Sequence, residues 1–588
     1  MKAFRQSGRR VAALLVFAPL LFACRRGERH RYESWGEIDP NFLPLRVAQT
    51  RGIPADSVRA IITQRLDSGP MAPLGKHTWT HVKALYQEYG DNALWLDSTG
   101  LRKGRTAALL DAVASADSDA LQLSGYPLGA LGRALAVVRG EPHPTAQQLA
   151  DADVLLTATY AAYGEDMVRG QLTPSSQSQD WHINPEDEDV DSALAGVLRT
   201  QNMSKAIAEM RPPDPQYDSL MAALQQYRGI VANGGWPSVP TGKALTPGDA
   251  APASRLAALR GRLAAEGLLP AAARRGVTGD DGRTVYDSAL AGAVAHYQAL
   301  HAIGVDSVLG PETVSSLNLS AEYRTGQIAG NLERFRWLPR HLGSRYIVVN
   351  VPAFRLTAYD SGQASLTMKV IVGAEYNNRN TPVFSDSMKY VVFRPYWLVP
   401  DGIADKEIWP KAQQDPDYLS RNHYETYTED GKTRVRQTPG DWNSLGLVKF
   451  LFPNDYAIYL HDTPEDQLFS KDVRAFSHGC IRLEHPAELA QWVLGWPMDR
   501  VQSAMHDGPD DQRIELPQRI PVYILYFTTY IENGELYFGN DLYGHDGKLV
   551  QAVRGGALPS PEALAAERAL REIAHQLGGP RVVAEAGW

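Results

Sequence analysis

Cysteine is almost missing from this chain: two residues, Cys24 and Cys480, among 588. Two cysteines cannot make a disulfide framework, and if Cys24 is modified or removed Cys480 stands as a single free thiol. A basic excess is also missing. There are 59 Lys and Arg against 67 Asp and Glu, a net charge of −8, so nothing in the charge balance points to nucleic acid, and no acidic block marks a disordered tail. Beyond the first residues no run of eighteen apolar residues occurs, so the body carries no membrane-spanning helix pattern. No Cys/His cluster with zinc spacing is found, so neither a metal nor another cofactor is expected. What remains is ordinary globular composition, 44% hydrophobic and 21% charged, at a length that suggests three to four domains.

The first residues have the form of a targeting signal. Lys2, Arg5, Arg9 and Arg10 precede the apolar run Val11 to Ala23, which is short for a mature spanning helix and right for a signal-peptide core. Leu21-Phe22-Ala23-Cys24 resembles a lipobox, with Phe22 bulky for its place. The expectation is a signal peptide over 1–23, lipidation at Cys24, a location in the bacterial periplasm or envelope, and a membrane contact through the lipid. A plain secretory signal is the alternative.

Residues 24–76 are mixed and polar and read as a tether with a poorly packed lead-in. Residues 77–253 read as a helical scaffold, with apolar spacings of three and four over Thr106–Ser115, Ala146–Tyr163, Ser192–Ile207 and Tyr217–Ala232. Gly234–Ala253, rich in Gly, Pro, Ser and Thr, closes it as a linker. Residues 254–320 read as three short helices, the first capped by Ser254 and the second opened by Asp287 or Ser288. Ala293-Val294-Ala295-His296-Tyr297-Gln298 and Val308-Leu309-Gly310-Pro311-Glu312-Thr313 resemble the trace of the small peptidoglycan-binding domain, and a helical spacer without a ligand is the other reading.

From 331 to 553 β-branched runs replace the helical spacing: Tyr346–Val351, Met368–Val372, Tyr390–Phe393, Leu447–Phe452, Ala457–Leu460 and Val522–Thr529. Asn533-Gly534 predicts a hairpin into Glu535–Phe538. The predicted fold class is α+β multidomain: a mainly antiparallel β catalytic domain with a partly helical capping insertion, preceded by the helical regions. The insertion, 401–443, is too long for a bare connection. Its Trp409, Tyr418, Tyr424, Tyr427 and Trp442 look too dispersed to form a core of their own. Residues 554–588 form a tail with a surface helix over Ser560–Gln576.

The chemistry concentrates in Tyr459-Leu460-His461-Asp462-Thr463 and Ser477-His478-Gly479-Cys480-Ile481-Arg482-Leu483, fifteen residues apart between His461 and Ser477. A thiol attacks as thiolate, and an imidazole can take its proton and later return it to a leaving amine. Gly479 permits close backbone approach, and the amides of His478, Gly479 and Cys480 are candidate oxyanion donors. Two histidines compete for the base, His461 and His478. Tyr459 shares a strand face with His461. Arg482 suits a forked contact with a carboxylate, either of a ligand or of a structural ion pair.

A histidine followed by fourteen to seventeen residues and then [ST]-H-G-C, a hydrophobic residue, and Asn or Arg is the motif of the L,D-transpeptidase (YkuD-type) catalytic domain, which this segment strongly resembles. Asn350-Val351-Pro352, Val372-Gly373, Thr381-Pro382-Val383, Arg394-Pro395-Tyr396-Trp397, Gly446-Leu447-Val448-Lys449-Phe450, the stretch Pro400 to Asp415 and Asp541-Leu542-Tyr543-Gly544 are similar to its larger periplasmic members. The resemblance implies Cys480 as nucleophile and His461 as general base and acid, with the Asp462 carbonyl orienting its ring, Ser477 steadying the loop and His478 supporting it. It implies peptidoglycan stem peptides and glycan as partners, acylation of Cys480 by carbapenems, and 3→3 cross-linking through a thioester. An L,D-carboxypeptidase, a lipoprotein-anchoring enzyme, a non-catalytic wall-binding scaffold and a general cysteine protease are the alternatives.

Overall fold

The computed structural model describes residues 36–40, 42, 47–185, 189–270, 282–374 and 380–579. The expected signal peptide over 1–23 and lipidation site Cys24 lie outside the described residues, and no described helix is long and apolar enough to cross a membrane.

The first half is helical. α1 (Ala55–Asp67), α2 (Lys76–Glu88), α3 (Ala146–Arg169) and α4 (Val190–Leu198) contribute to one hydrophobic cluster. The reading of 24–76 as poorly packed is corrected here. In α1, Val58, Ile62 and Leu66 recur every four residues and are buried, an apolar stripe that scattered polar neighbours mask in the sequence. α2 and α3 bring His77, His81 and Glu165 together.

α5 (Ala253–Ala265), α6 (Ser288–Leu300) and α7 (Pro311–Leu317) form a second, smaller cluster. Asp287 caps α6 by accepting from the Leu290 amide, whereas Ser254 lies inside α5 and caps nothing. The supposed linker is partly structure, since Val239 and Leu245 are buried in the same cluster.

α8 (Ala321–Arg336) is buried on every side from Arg324 onward although seven of those residues are Arg, Thr, Gln, Asn or Glu. Position 331, where the sequence suggests that the β domain opens, falls inside it. Its charged groups are paired: Arg334 pairs with Asp546 and Arg336 with Glu333, and Asn331 bonds Thr528, as burial of charge requires. A Cβ added at Gly326 would lie 2.6 Å from the Val550 side chain, so α8 approaches α9 (Asp546–Ala552) as closely as glycine allows.

Against α8 stands a nine-stranded sheet. Its strands are β1 (Arg345–Asn350), β2 (Arg355–Asp360), β3 (Gln363–Gly373), β4 (Phe384–Phe393), and, after the insertion strands β5 (Trp397–Leu398), β6 (Tyr424–Glu429) and β7 (Lys432–Gln437), β8 (Val448–Leu451), β9 (Leu460–His461), β10 (Ala475–Ser477), β11 (Ile481–Leu483) and β12 (Gln512–Leu525). The order is β10-β3-β11-β9-β8-β4-β12-β1-β2, and β2 also pairs with β3, which closes the sheet on itself. Most pairs are antiparallel, but β9–β11, β3–β10 and β1–β12 are parallel. β13 (Thr529–Glu532) and β14 (Glu535–Phe538) make the hairpin turned at Asn533-Gly534.

The insertion differs from expectation. Beside short helices it holds the three-stranded sheet β5-β7-β6, and Val399, Ala404, Ile408 and Val435 form a core of its own, flanked by Trp397, Trp409, Tyr418 and Tyr424. Asn443 ties its base, donating to the carbonyls of Pro395 and Thr438 at 3.0 Å each. α10 (Pro561–Gln576) is no mere surface helix: Leu570 and Ala574 are buried in the N-terminal cluster and Arg571 donates to the Ala114 carbonyl.

Candidate active site

Cys480 and His461 meet through the parallel pair β9–β11. Leu460 stands opposite Ile481 and His461 opposite Arg482. Leu460, Ile481 and Leu483 are fully buried in the core. Alternation therefore sends Tyr459, His461, Cys480 and Arg482 to the other face of the sheet. Parallel neighbours need a crossover of a dozen or more residues, and the fifteen residues between His461 and Ser477 supply it.

His461 is 4% exposed. Its Nδ1 donates to the Asp462 carbonyl at 2.5 Å, which leaves the Nε2 lone pair free to accept a proton. Burial, helped by the neighbouring Arg482 and Lys449 cations, holds the imidazole down to about 3 against the opposing pull of the Asp462 carbonyl. Lys449 is its partner on β8, so the ring lies between two cations across three strands.

The Asp462 carboxylate faces away from the ring. It accepts the amides of Leu447 and Thr463, both at 2.7 Å, and burial raises it to about 6. Gly446 packs so tightly over it, at φ +60°, that a Cβ would sit 2.3 Å from the carboxylate. This fixes the strand end from which His461 projects.

Cys480 is partly exposed. Its Sγ lies 3.6 Å from the Ala457 carbonyl. Burial of the sulfur pushes the thiol up to about 11, opposed by contacts to the backbone and hydroxyl of Tyr459 and by Arg482. No hydrogen bond joins thiol and imidazole, so the resting pair is two neutral groups on one face.

The loop before the thiol is held from both sides. Ser477 Oγ donates to the Cys480 carbonyl at 2.5 Å and accepts the Gly479 amide at 3.1 Å. Gly479, at φ +114°, takes a conformation that L side chains rarely adopt. Its carbonyl accepts from Thr381 Oγ1 at 2.7 Å, and Thr381 Oγ1 accepts the Gly373 amide at 2.9 Å. Tyr543 closes this buried network, its hydroxyl donating to the Gly373 carbonyl and accepting the Thr381 amide. Thr381 and Tyr543 are the positioning residues that residue-by-residue reading missed; both stand in short segments carrying the family resemblance.

His478 points elsewhere. It is exposed, and its Nε2 pairs with the Glu407 carboxylate of the insertion at 2.9 Å. Arg482 forms an ion pair with Glu465.

Comparison with known proteins gives matches over both halves of the chain. Residues 344–524 match the family described as the L,D-transpeptidase catalytic domain, and residues 80–224 match the scaffold domain. A putative L,D-transpeptidase of Haemophilus influenzae (strain ATCC 51907 / DSM 11121 / KW20 / Rd) is 34% identical over 248 residues, 38% of this chain and 49% of that protein. The chain thus spans about half the length of the curated relative it matches. The crystal structure of an L,D-transpeptidase (residues 123–326) from Xylanimonas cellulosilytica DSM 15894 aligns with 49% of this chain and 99% of that one, at 14% identity and a TM-score of 0.14.

Proposed function

From a chain that carries an L,D-transpeptidase catalytic domain behind a scaffold domain, we infer an acyltransferase that joins peptidoglycan stem peptides through a Cys480 thioester. The thiol attacks the carbonyl between the third residue of a tetrapeptide stem and its terminal D-alanine. His461 Nε2 accepts the thiol proton and passes it to the departing amine of D-alanine. The amine of a second stem's diamino acid then attacks the thioester, giving a 3→3 cross-link and restoring the thiol.

The observation that carries this reading is the placement of Cys480 and His461 on one face of a parallel strand pair, with Nδ1 anchored and Nε2 left unprotonated. A neutral thiol beside a neutral imidazole suits general-base activation during attack. The Gly479 amide is committed to Ser477, so the oxyanion role falls to the amides of Cys480 and His478. Tyr459 borders the sulfur and lines the donor groove. Export and lipidation at Cys24, with action in the envelope, belong to the proposal on sequence grounds, as does wall binding by residues 254–320.

The test is mass analysis of muropeptides after incubation of purified protein with disaccharide-tetrapeptides. Released D-alanine together with 3→3 dimers is the expected result. D-alanine release with tripeptide monomers alone makes the enzyme a carboxypeptidase, and no release at all overturns the reading.

A further inference from the structure

We propose that the scaffold half carries a metal site, with His77 Nε2, His81 Nε2 and Glu165 Oε1 as ligands, that takes Zn2+. His77 and His81 stand four residues apart in the first turns of α2, on one face of the helix. Glu165 reaches them from the last turns of α3. The three ligand atoms lie within 4.8 Å of one another. Glu165 Oε1 is 3.4 Å from His77 Nε2 and 3.9 Å from His81 Nε2. Tetrahedral zinc with bonds of 2.0–2.1 Å separates its ligands by about 3.3 Å, so small rotations of the Glu165 side chain and of the His77 side chain, which is 64% exposed, complete the site.

On both rings Nε2 is the unprotonated nitrogen, and on His81 it is bare. His81 pairs through Nδ1 with the Asp191 carboxylate of α4 at 2.7 Å; a carboxylate only accepts, so the ring proton sits on Nδ1. The His81 side chain is 7% exposed, yet its Nε2 has no hydrogen-bond partner. A buried lone pair without a donor is costly, and a cation satisfies it. The order carboxylate, imidazole, metal is the usual support of a zinc-binding histidine. His77 Nε2 accepts from Arg169 Nη1 at 3.3 Å, so its ring proton too sits on Nδ1, and an entering ion displaces Arg169 from this bond. Two imidazoles and one carboxylate favour Zn2+ over Mg2+ or Ca2+, which prefer oxygen alone. The fourth position faces solvent beside His77. The ion would staple α2 to α3 and, through Asp191, to α4.

The full chain carrying Cys24→Ser and Cys480→Ala, which removes both competing thiols, is stripped with chelator and titrated with ZnCl2 by calorimetry, with bound metal counted by mass spectrometry. One Zn2+ per chain and a raised melting temperature are expected. Asp191→Asn should weaken binding about 10- to 100-fold, and loss of a ligand in His77→Ala or Glu165→Gln by more than about 100-fold. His77 is exposed and Glu165→Gln keeps the side-chain volume, so neither change opens a buried cavity, and circular dichroism checks the fold. Arg169→Ala should retain the ion. Absence of stoichiometric Zn2+, or binding unchanged in His77→Ala and Glu165→Gln, overturns the proposal.

Discussion

His478 Nε2 and the Glu407 carboxylate stand 2.9 Å apart, joining the loop before the thiol to the capping insertion. The side chain that sequence spacing leaves in competition with His461 is thereby engaged away from the sulfur. His461 shares the sulfur's face and keeps Nε2 unprotonated. His461→Ala should therefore slow turnover roughly 100- to 10,000-fold, the usual range for a general base, and His478→Ala far less. Rates of D-alanine release by the two variants, with folding checked by circular dichroism, decide it; a larger loss in His478→Ala would reverse the roles.

Cys480 is the only cysteine among the described residues. Cys480→Ala removes the thiol and little volume, so the fold should persist while covalent capture disappears. Intact-mass spectrometry with a carbapenem should show one adduct on the native chain and none on the variant. An adduct that survives in Cys480→Ala excludes this residue as nucleophile.

Burial holds the Cys480 thiol up to about 11 and the His461 imidazole down to about 3. Raising an acid's pKa disfavours its anion, so little thiolate exists at neutral pH. Iodoacetamide should alkylate the native enzyme at pH 7 roughly 100-fold more slowly than free cysteine, whose pKa is about 8.5. The rate should climb steadily between pH 7 and pH 10. A plateau between pH 6 and pH 8 would mean a standing thiolate–imidazolium pair instead.

The insertion has its own core and a closed base at Pro395 and Asn443, so it can act as a unit. As a lid over the stem peptide it would exclude water from the thioester and favour an amine acceptor. Replacing residues 405–440 with a short Gly/Ser linker should leave iodoacetamide reactivity largely intact, lower cross-linking, and raise the ratio of hydrolysed to cross-linked product. An unchanged ratio in a folded variant removes the lid role.

The sequence by itself determined what local pattern and spacing can carry. Periodicity named the helices over Ala146–Tyr163 and Tyr217–Ala232, β-branched runs located most sheet strands, and Asn533-Gly534 set the hairpin, because each is a property of neighbouring residues. The fixed spacing of His461 and Ser477-His478-Gly479-Cys480 singled out the candidate nucleophile and base. Only the tertiary structure decided the rest. The parallel pairing that aligns His461 with Cys480 depends on a crossover whose path no local pattern encodes. α8 is polar in composition yet buried from Arg324 onward, because its partners Thr528 and Asp546 lie about two hundred residues away in the chain. The sheet inside the insertion pairs β7 with both β5 and β6 across polar stretches that carry little strand signal. His77, His81 and Glu165 converge because α2 packs on α3, and long-range packing of this kind is set by the whole core rather than by any one segment.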